Sequence, residues 1–500
     1  MKNLKRLFTL VLVFVFAGVF LASCNNNNNN NNNNNQNTNE IPEKLLIYTI
    51  NDFHGAIEED NGAYGAARIS GYIKDSIKEN TDAATLVISA GDMFQGAAIS
   101  NHTRGEIVVD IMDEIGFHAM TIGNHEFDWE LSTVLKYRDG DESNGEADFP
   151  FLGCNIIQKS TSSIPEYVDP YHIVEAKGLK IGIIGYMGQG LETDIATAMI
   201  EDYYFSDPVE AVSQYAKELR TDKDCDIVIV SGHDGDSLTN KSLSKLNGDE
   251  RIDAIINGHT HSTYTETYRR SDGVVIPSIQ AGTAGKNVGV ISLNIDPETK
   301  SVLSGASFNK QMSKSVATDP VVKKMVDDIV LETAPIFKRV LCKAGADINQ
   351  IKGAAWAANA LSDYIDCDVA FINSGGIRNS AFPIYSGEEV TVSKVYEIMP
   401  FDNAIKTVEL KGSYVKNIID GHDIVCSDNI TGDRYSGYYI NGELLDDNKV
   451  YKVAAVDYIF DQSSYPFQYG NNAYATGILF RDILIETLEN LNENGQIWLG

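Results

Sequence analysis

The chain is poor in cysteine, with 6 in 500 residues and no Cys-x-x-Cys pair. A disulfide framework needs an even set of cysteines, and a structural zinc clip needs paired thiolates. The cysteines beyond residue 24 are scattered and odd in number. We therefore predict isolated thiols and exclude both a disulfide scaffold and a cysteine-based metal clip.

Positive charge is also scarce, because 40 Lys and Arg residues face 70 Asp and Glu residues, for a formal net charge of -30. Residues 1–23 carry three positive charges and no negative one, so their removal takes the net charge from -30 to -33. No basic stripe is present, and binding to a nucleic-acid polymer is not expected. An anionic ligand would have to be attracted by metal ions and a few arginines.

Long apolar runs are missing except near the start, where a basic segment precedes an apolar stretch from Leu7 to Phe20. That stretch is too short for a convincing membrane span and has the organisation of a signal peptide, over residues 1–23. The segment Leu21–Cys24 resembles a bacterial lipobox, in which Cys24 receives lipid after cleavage. The alternative is an ordinary secretory signal with an incidental cysteine. We expect a lipid-anchored protein outside the cytoplasm.

The segment after the lipobox is an almost pure asparagine run that has nothing apolar to bury, so we expect a disordered tether over residues 24–43. The remaining chain is too long for one core, and two domains are expected. Pro320 suits the first turn of a helix that would join them. We place the first domain at 44–315, the linker helix within 316–339 and the second domain at 340–500.

Hard metal-ligand residues are concentrated in five short blocks, and each block directly follows an apolar run rich in β-formers. The blocks are D-F-H-G (52–55), G-D (91–92), G-N-H-E-F-D (123–128), G-H-D (232–234) and G-H-T-H (258–261). One block alone is ordinary turn chemistry, but five of the nine histidines fall within this set. Carboxylate, amide and imidazole groups suit a pair of small divalent cations, with one carboxylate bridging both. The sequence therefore predicts a dimetal site at strand ends.

The order of these blocks resembles the calcineurin-like metallophosphoesterases. The G-N-H-E-F-D version, followed by N-S-G-G-I-R at 373–378 and Pro400-Phe401, is similar more narrowly to the 5'-nucleotidase and UDP-sugar hydrolase branch. The resemblance covers nearly all of the chain from about residue 44. It implies an α/β protein with an N-terminal four-layer α/β/β/α metallophosphoesterase sandwich, a linker helix and a C-terminal α/β 5'-nucleotidase domain that binds substrate.

The resemblance also implies a ligand set for two divalent metal ions, zinc, manganese or similar. One ion would be held by Asp52, His54, Asp92 and His261, and the other by Asp92, Asn124, His233 and His259. Asp92 would bridge the two ions. A water converted to hydroxide between them is the expected nucleophile.

His125 and Asp128 stand three residues apart, and a turn entering a helix can bring such a carboxylate against one ring nitrogen. The carboxylate would favour the imidazolium and aim the other nitrogen outward. His125 is therefore a candidate general acid for the departing alkoxide. The alternative is that His125 only caps the turn. Glu126 is a candidate hydrogen-bond partner of the metal ligands.

The second domain supplies the substrate contacts that the resemblance implies. They are Asn373, Arg378 on the phosphate, and Phe401 as one of two rings that sandwich a nucleobase. The family's GGDG-aromatic loop is replaced here by Ser463–Phe467, from which we expect Phe467 to supply the second ring. The aspartate expected for the ribose hydroxyls is replaced by glycine and asparagine at 470–472. These departures weaken the argument for a nucleotide more than the argument for phosphoester hydrolysis.

We expect a phosphohydrolase outside the cytoplasm that cleaves nucleoside 5'-monophosphates to nucleoside and phosphate. A second hypothesis keeps the metals but changes the ester: a 2',3'-cyclic nucleotide phosphodiesterase, a UDP-sugar pyrophosphatase or a non-nucleotide phosphatase. A third is a non-catalytic surface lipoprotein. The intact ligand positions in all five blocks argue against the third.

Overall fold

The computed structural model describes residues 41–59, 62–141 and 145–500. The signal peptide, Cys24 and residues 24–40 of the tether lie outside the described residues. The described residues belong to one compact unit that begins at Glu40. Among them, no helix combines the length and the apolar character needed to cross a bilayer.

Two six-stranded sheets form the first half of the chain, and each has a parallel centre with antiparallel strands added at the edge. The first sheet has the strand order Val302–Gln311, Asn287–Ile295, Lys44–Ile50, Ala84–Ser89, Ala119–Thr121 and Phe151–Leu152. The second has the order Thr263–Arg269, Val275–Ala281, Ala254–Asn257, Ile227–His233, Leu179–Met187 and Tyr171–Ala176. A small ribbon pairs Ile156–Gln158 with Tyr203–Phe205.

The two sheets face each other across an apolar core, because fully buried aliphatic side chains of both sheets form one cluster. Examples are Ile47 of the first sheet and Ile229 and Ile256 of the second. Helices cover both outer faces. The helices of this half are Gly65–Glu79, Ala98–Thr103, Glu106–Ile115, Leu131–Leu135, Thr197–Ile200, Pro208–Thr221 and Ser237–Leu243. This arrangement confirms the four-layer α/β/β/α sandwich.

A helix from Pro320 to Phe337 joins the two halves. Pro320 occupies its first turn, and the side chain of Asp319 caps it by accepting from the Val321 N–H at 2.8 Å. Asp319 also accepts from the Ser70 hydroxyl and from Lys74 on the first long helix. The start of the linker is thereby fixed to the first domain.

The second half is a smaller mixed domain built around a five-stranded sheet. The strand order is Ile424–Cys426, Val369–Asn373, Val450–Val456, Ala404–Lys411 and Asn471–Leu479. Two minor sheets join Ile430–Asp433, Gly437–Ile440 and Glu443–Leu444, and Val340–Lys343 with Glu389–Thr391. The helices are Gln350–Tyr364, Val392–Ile398, Gly412–Ile419, Asp457–Phe460 and Phe480–Glu493. The chain thus has the expected two-domain α/β architecture.

Candidate active site

The proposed metal ligands lie where parallel strands end, and their backbone is unusual. Positive φ angles occur at Asp52 (49°), His54 (52°), Asp92 (55°), His259 (76°) and His261 (57°). This left-handed region is uncommon for residues other than glycine and costs on the order of 1 kcal/mol or more each. Such strain persists only where the surroundings impose it. Its concentration at strand ends is typical of a functional site.

Four of the proposed ligands form one cluster. Asp52, His54, Asp92 and His261 each offer an atom within 4.8 Å of the others. The Nε2 atoms of His54 and His261 are 3.0 Å apart, and His261 Nε2 is 3.6 Å from Asp52 Oδ1. Asp52 and Asp92 are buried. The structure therefore brings together the first set of ligands that the sequence indicated.

The second set converges on the same carboxylate. His233 Nε2 lies 3.2 Å from Asp92 Oδ2 and 3.0 Å from Asn124 Oδ1. His259 Nδ1 lies 3.1 Å from the same Asn124 oxygen. Asp92 is therefore shared between two groups of ligands.

Two of the histidines are oriented by backbone carbonyls. The Nδ1–H of His54 donates to the Gln95 carbonyl at 2.9 Å, and the Nδ1–H of His233 donates to the Ala90 carbonyl at 2.7 Å. A carbonyl only accepts, so the Nε2 lone pair of each ring faces the cluster. Sequence reasoning missed the part played by Gln95, because its backbone oxygen carries no sequence signal.

His259 has the opposite orientation. Its Nδ1 faces Asn124, while its Nε2 lies 3.3 Å from Asp194 Oδ2. A carboxylate beside the outer nitrogen of a ligand histidine favours one tautomer and one ring orientation. Asp194 lies outside the five blocks, and sequence reasoning missed it.

Glu126 holds the turn that carries the shared carboxylate. It accepts from the backbone N–H groups of Asp92 and Met93, both at 2.9 Å, and of Gly123 at 2.7 Å. Burial and the charge of Asp92 raise the pKa of Glu126 to about 7. Gly123 is required beside it, because a Cβ there would lie 2.3 Å from Asp92 Oδ1. Glu126 therefore acts on the ligands through the backbone.

The electrostatics of the cluster suit divalent cations. Burial, and then nearby positive charge, lowers the pKa of His54 well below its usual value, and burial lowers the pKa of His261 to about 4. Both rings are therefore neutral and able to ligate. Burial alone would raise the pKa of Asp92 and lower that of His233, but the two groups are paired: His233 holds the pKa of Asp92 well below its ordinary range, and Asp92 raises the pKa of His233 to about 10. A cation bound here would take the place of the proton on His233. Buried carboxylates, an amide oxygen and neutral imidazoles form a donor set that fits zinc, manganese and similar ions.

His125 and Asp128 form the contact expected from their spacing, with Nδ1 and Oδ2 2.7 Å apart. Burial alone would lower the pKa of His125, but Asp128 and Asp92 outweigh it and raise the pKa. The backbone N–H of His125 donates to Asp92 Oδ1 at 2.9 Å. Its Nε2 is directed away from Asp128 and lies 3.4 Å from Arg378. The ring is thus fixed beside the shared carboxylate, and its Nε2 is available to act on a ligand.

A cavity of about 310 Å³ opens above this cluster, between the two halves of the chain. Asn373, Arg378 and Phe401 line it together with Asp92, Asn124, His125, Asp128, His259 and His261. The Arg378 guanidinium carbon lies 4.7 Å from the centre of the Phe401 ring, which stacks on His125 at 5.9 Å. Three of the four proposed substrate contacts therefore face the candidate metal centre.

Phe467 is not brought to this cavity. Its side chain is 1% exposed, and its ring stacks on Phe460 at a centroid distance of 4.9 Å. The turn Pro466–Tyr469 directs the ring into the domain core. Tyr458 lines the cavity instead. It follows the strand Val450–Val456, but its sequence carries no motif that would have identified it.

Comparison with known families is consistent with this geometry. Residues 45–263 match the calcineurin-like phosphoesterase family, and residues 346–468 match the 5'-nucleotidase C-terminal domain. The chain is therefore a calcineurin-like phosphoesterase, a class of metal-dependent hydrolases. Within that class it belongs to the two-domain 5'-nucleotidase family.

Individual relatives are distant. The chain is 25% identical over 423 residues to a snake venom 5'-nucleotidase from Crotalus adamanteus, an alignment that covers 75% of this chain and 70% of the relative. It is 27% identical over 413 residues to endonuclease YhcR of Bacillus subtilis, covering 75% of this chain but only 32% of that protein. The crystal structure of a 5'-nucleotidase precursor from Thermus thermophilus has a TM-score of 0.72 at 21% identity, covering 90% of this chain and 96% of that one. This last likeness shows the fold.

Proposed function

We propose that the protein hydrolyses nucleoside 5'-monophosphates to nucleoside and inorganic phosphate. The observation that carries this proposal is the cavity in which Arg378 and Phe401 face Asp92, Asn124 and His125. A phosphoryl group placed against the ligand cluster would leave its nucleoside beside the aromatic ring of Phe401. The cavity volume of about 310 Å³ lies at the lower end of the range for small-molecule sites.

Two divalent ions held by the two ligand sets would supply the activated water and neutralise charge on the phosphoryl oxygens. Asp52, His54 and His261 would hold one ion, and Asn124, His233 and His259 the other, with Asp92 between them. Glu126 keeps the Asp92 turn in place through its three backbone contacts.

The leaving alkoxide needs a proton, and His125 is the group placed to donate it. Asp128 holds Nδ1 and favours the protonated ring, so Nε2 can carry the proton that is transferred. Arg378 lies near the same nitrogen, where its positive charge would also bind a phosphoryl oxygen. The two groups would therefore act on neighbouring oxygens of one ester.

Recognition of the nucleoside rests on Phe401 and, in place of the buried Phe467, on Tyr458. Aromatic rings bind a base by its π-face and so tolerate different bases. Asn373 and Asn403 also line the cavity and offer polar contacts. The proposed substrate class is therefore nucleoside monophosphates in general.

The test is phosphate release from a panel of nucleoside monophosphates, cyclic nucleotides, UDP-glucose and sugar phosphates, using metal-reconstituted protein that lacks residues 1–40. We expect AMP or another 5'-monophosphate to have the highest kcat/KM. A sugar phosphate or a cyclic nucleotide preferred by about tenfold or more would refute the proposed substrate.

We also propose that the protein acts outside the cytoplasm on a lipid anchor at Cys24. The support is the basic, apolar and lipobox-like order of residues 1–24, followed by a polar tether that cannot itself bind a bilayer. Changing Cys24 to Ser should leave specific activity unaltered and move the protein from the membrane to the soluble fraction, or block signal cleavage. Membrane retention with normal cleavage would rule out lipid at Cys24.

A second candidate activity is hydrolysis of phosphodiesters. A separate cavity of about 560 Å³ reaches His54, His261 and Arg378 and continues along 96–99 and 379–381. A diester carries a substituent on each side of its phosphate, and two cavities that both border His261 and Arg378 could take one each. Adding a bulky bis-aryl phosphodiester to the substrate panel separates the two activities, because it should be cleaved only under this second hypothesis.

A further inference from the structure

One carbonyl of the second domain accepts hydrogen bonds from both domains. The Pro400 oxygen accepts from Gln95 Nε2 at 3.1 Å and Asn101 Nδ2 at 2.8 Å, both in the first domain. It also accepts from Arg481 Nη1 of the second domain at 3.0 Å. The three donors are held in place by their surroundings, because the side chains of Gln95, Asn101 and Arg481 are buried.

The carboxylate two residues further on is shared in the same way. Asp402 pairs with Arg104 of the first domain and with Arg481 of the second. The Arg481 guanidinium also lies 4.0 Å from the centre of the Tyr396 ring, so its position belongs to the second domain. Arg104 is the more exposed partner, with 43% of its side chain accessible. Phe401 therefore lies between Pro400 and Asp402, and each of these two residues is bonded to both domains.

The first-domain side of this contact is connected to the metal ligands. Gln95 donates from its side chain to Pro400, and its own backbone carbonyl accepts from the Nδ1–H of His54. On the second-domain side, the backbone N–H of Arg378 donates to the Ile398 carbonyl at 2.9 Å. The segment 398–402 thus holds the phosphate-facing arginine and carries the stacking ring as one unit.

We propose that Gln95, Asn101 and Arg104 form a docking site for the segment Pro400–Asp402, and that this contact sets the position of Phe401 and Arg378 relative to the candidate metal centre. These three are positioning residues, since none of them lines the candidate active-site cavity and their side chains bond the segment that does. The kinetic test of this inference with a nucleotide rests on the proposed function. The hydrogen bonds and the ion pair that define the contact do not depend on it. Loss of the docking contact would displace Phe401 and Arg378 together, so a nucleotide loses both the stacking ring and the arginine, whereas a small aryl ester loses the arginine alone.

The test compares Asn101→Ala and Arg104→Ala with two matched variants on the same domain, Asn294→Ala and Arg269→Ala. Asn294 bonds Ser304 on an exposed strand, and Arg269 bonds the Gly273 carbonyl, both on strands outside the cleft. Steady-state kinetics would be measured with AMP and with a small aryl phosphate. Small-angle scattering of the same proteins would report the separation of the domains without any turnover.

We expect Asn101→Ala to raise KM for AMP about tenfold, because a buried carbonyl loses a donor from the opposite domain. Arg104→Ala, at an exposed site, should raise it about threefold. The aryl phosphate, which meets Arg378 but has no base to stack on Phe401, should show a smaller rise in KM than AMP in both variants. The scattering of both variants should indicate a more open particle, and the two matched variants should behave as the parent.

Unaltered KM for AMP together with unaltered scattering in both variants would overturn the proposal. Equal losses on AMP and the aryl ester would also overturn it, because the position of the stacking ring of Phe401 would then not depend on the contact. Arg104 is exposed, so its variant remains informative if Asn101→Ala does not fold. If the parent protein does not cleave AMP, the proposed function is refuted. The scattering data would still show whether the docking contact holds the two domains together.

Discussion

The metal half and the substrate half of the cleft are held in place by different means. In the metal half, each candidate ligand lies at or soon after the end of a strand of a sheet whose aliphatic core is fully buried, and five of the seven have a left-handed backbone. In the substrate half, Phe401 lies on a loop that contacts the other domain, Arg378 lies on a separate loop bonded to Ile398, and Phe467 is turned into the core. The metal half is therefore specified locally, and the substrate half depends on tertiary contacts.

This difference has a functional consequence. A turn fixed at both ends by a sheet keeps its ligands within the tolerance that metal coordination needs. A loop held across a cleft takes its position from both domains, so a change at this contact would move the candidate substrate residues and leave the candidate ligands in place. The experiments below separate the two halves by the substrate that each variant loses.

The largest effect is expected from Asp92→Asn, which removes the shared carboxylate charge between the two ligand sets. Activity on AMP and on an aryl phosphate should fall together, by more than about 10³-fold, and elemental analysis should find fewer than two ions per chain. Asp110→Asn, on a helix of the same domain, is the matched control. Two retained ions with near-normal turnover would contradict the bridging role of Asp92.

The next effect is expected from His125→Ala, which keeps the ligands but removes the candidate acid. Turnover of an alkyl ester such as AMP should fall about 10²–10⁴-fold. An aryl phosphate has a good leaving group that needs little protonation, so its loss should be much smaller. The check is the ratio of the two losses at constant metal content, with His172→Ala as control. Equal losses on both esters would remove His125 from the acid role.

The sequence predicted that the candidate metal ligands lie together, because the evidence for this is local. Asp52, Asp92 and His233 each follow an apolar run, and the carboxyl ends of parallel strands meet at one edge of a sheet. Spacing was also enough to pair His125 with Asp128. The convergence of these side chains therefore needed no knowledge of tertiary packing.

The remaining parts of the site could not be found in this way. Asp194 reaches His259 from a separate loop, and Gln95 acts on His54 through a backbone oxygen, so neither has a residue-type signature. The side chain of Phe467 is directed by a short 3-10 turn that begins at Pro466, and only packing against Phe460 decides which way the ring points. Tyr458 likewise lines the cavity without any sequence motif that would have identified it.

Phe401 and Phe467 provide a sharper test of the substrate half. Phe401→Ala should raise KM for AMP about tenfold, corresponding to about 1–3 kcal/mol for a stacked base, with little change for a small aryl phosphate. Phe467→Leu keeps the buried volume approximately and should leave both substrates unaffected. Steady-state kinetics on both esters decide the matter. An AMP defect in Phe467→Leu and none in Phe401→Ala would reverse the assignment of the ring.

The smallest effect is expected at the joint between the halves, where Asp319 caps the linker helix and pairs with Lys74. Although burial opposes it, bonding to Lys74, Ser70 and the Val321 N–H lowers the pKa of Asp319 to about 2. Asp319→Ala should reduce the free energy of unfolding by about 1–2 kcal/mol at neutral pH. Because the pKa in the folded protein lies below its unfolded value of about 4, this stabilisation is complete above about pH 4 and is lost as the pH falls towards about 2. Urea unfolding of metal-free parent and variant at about pH 6 and about pH 3 should therefore show a difference that shrinks in acid. A difference that stays constant or grows would mean that the Asp319 charge does not stabilise the joint, and that the linker start is held by packing alone.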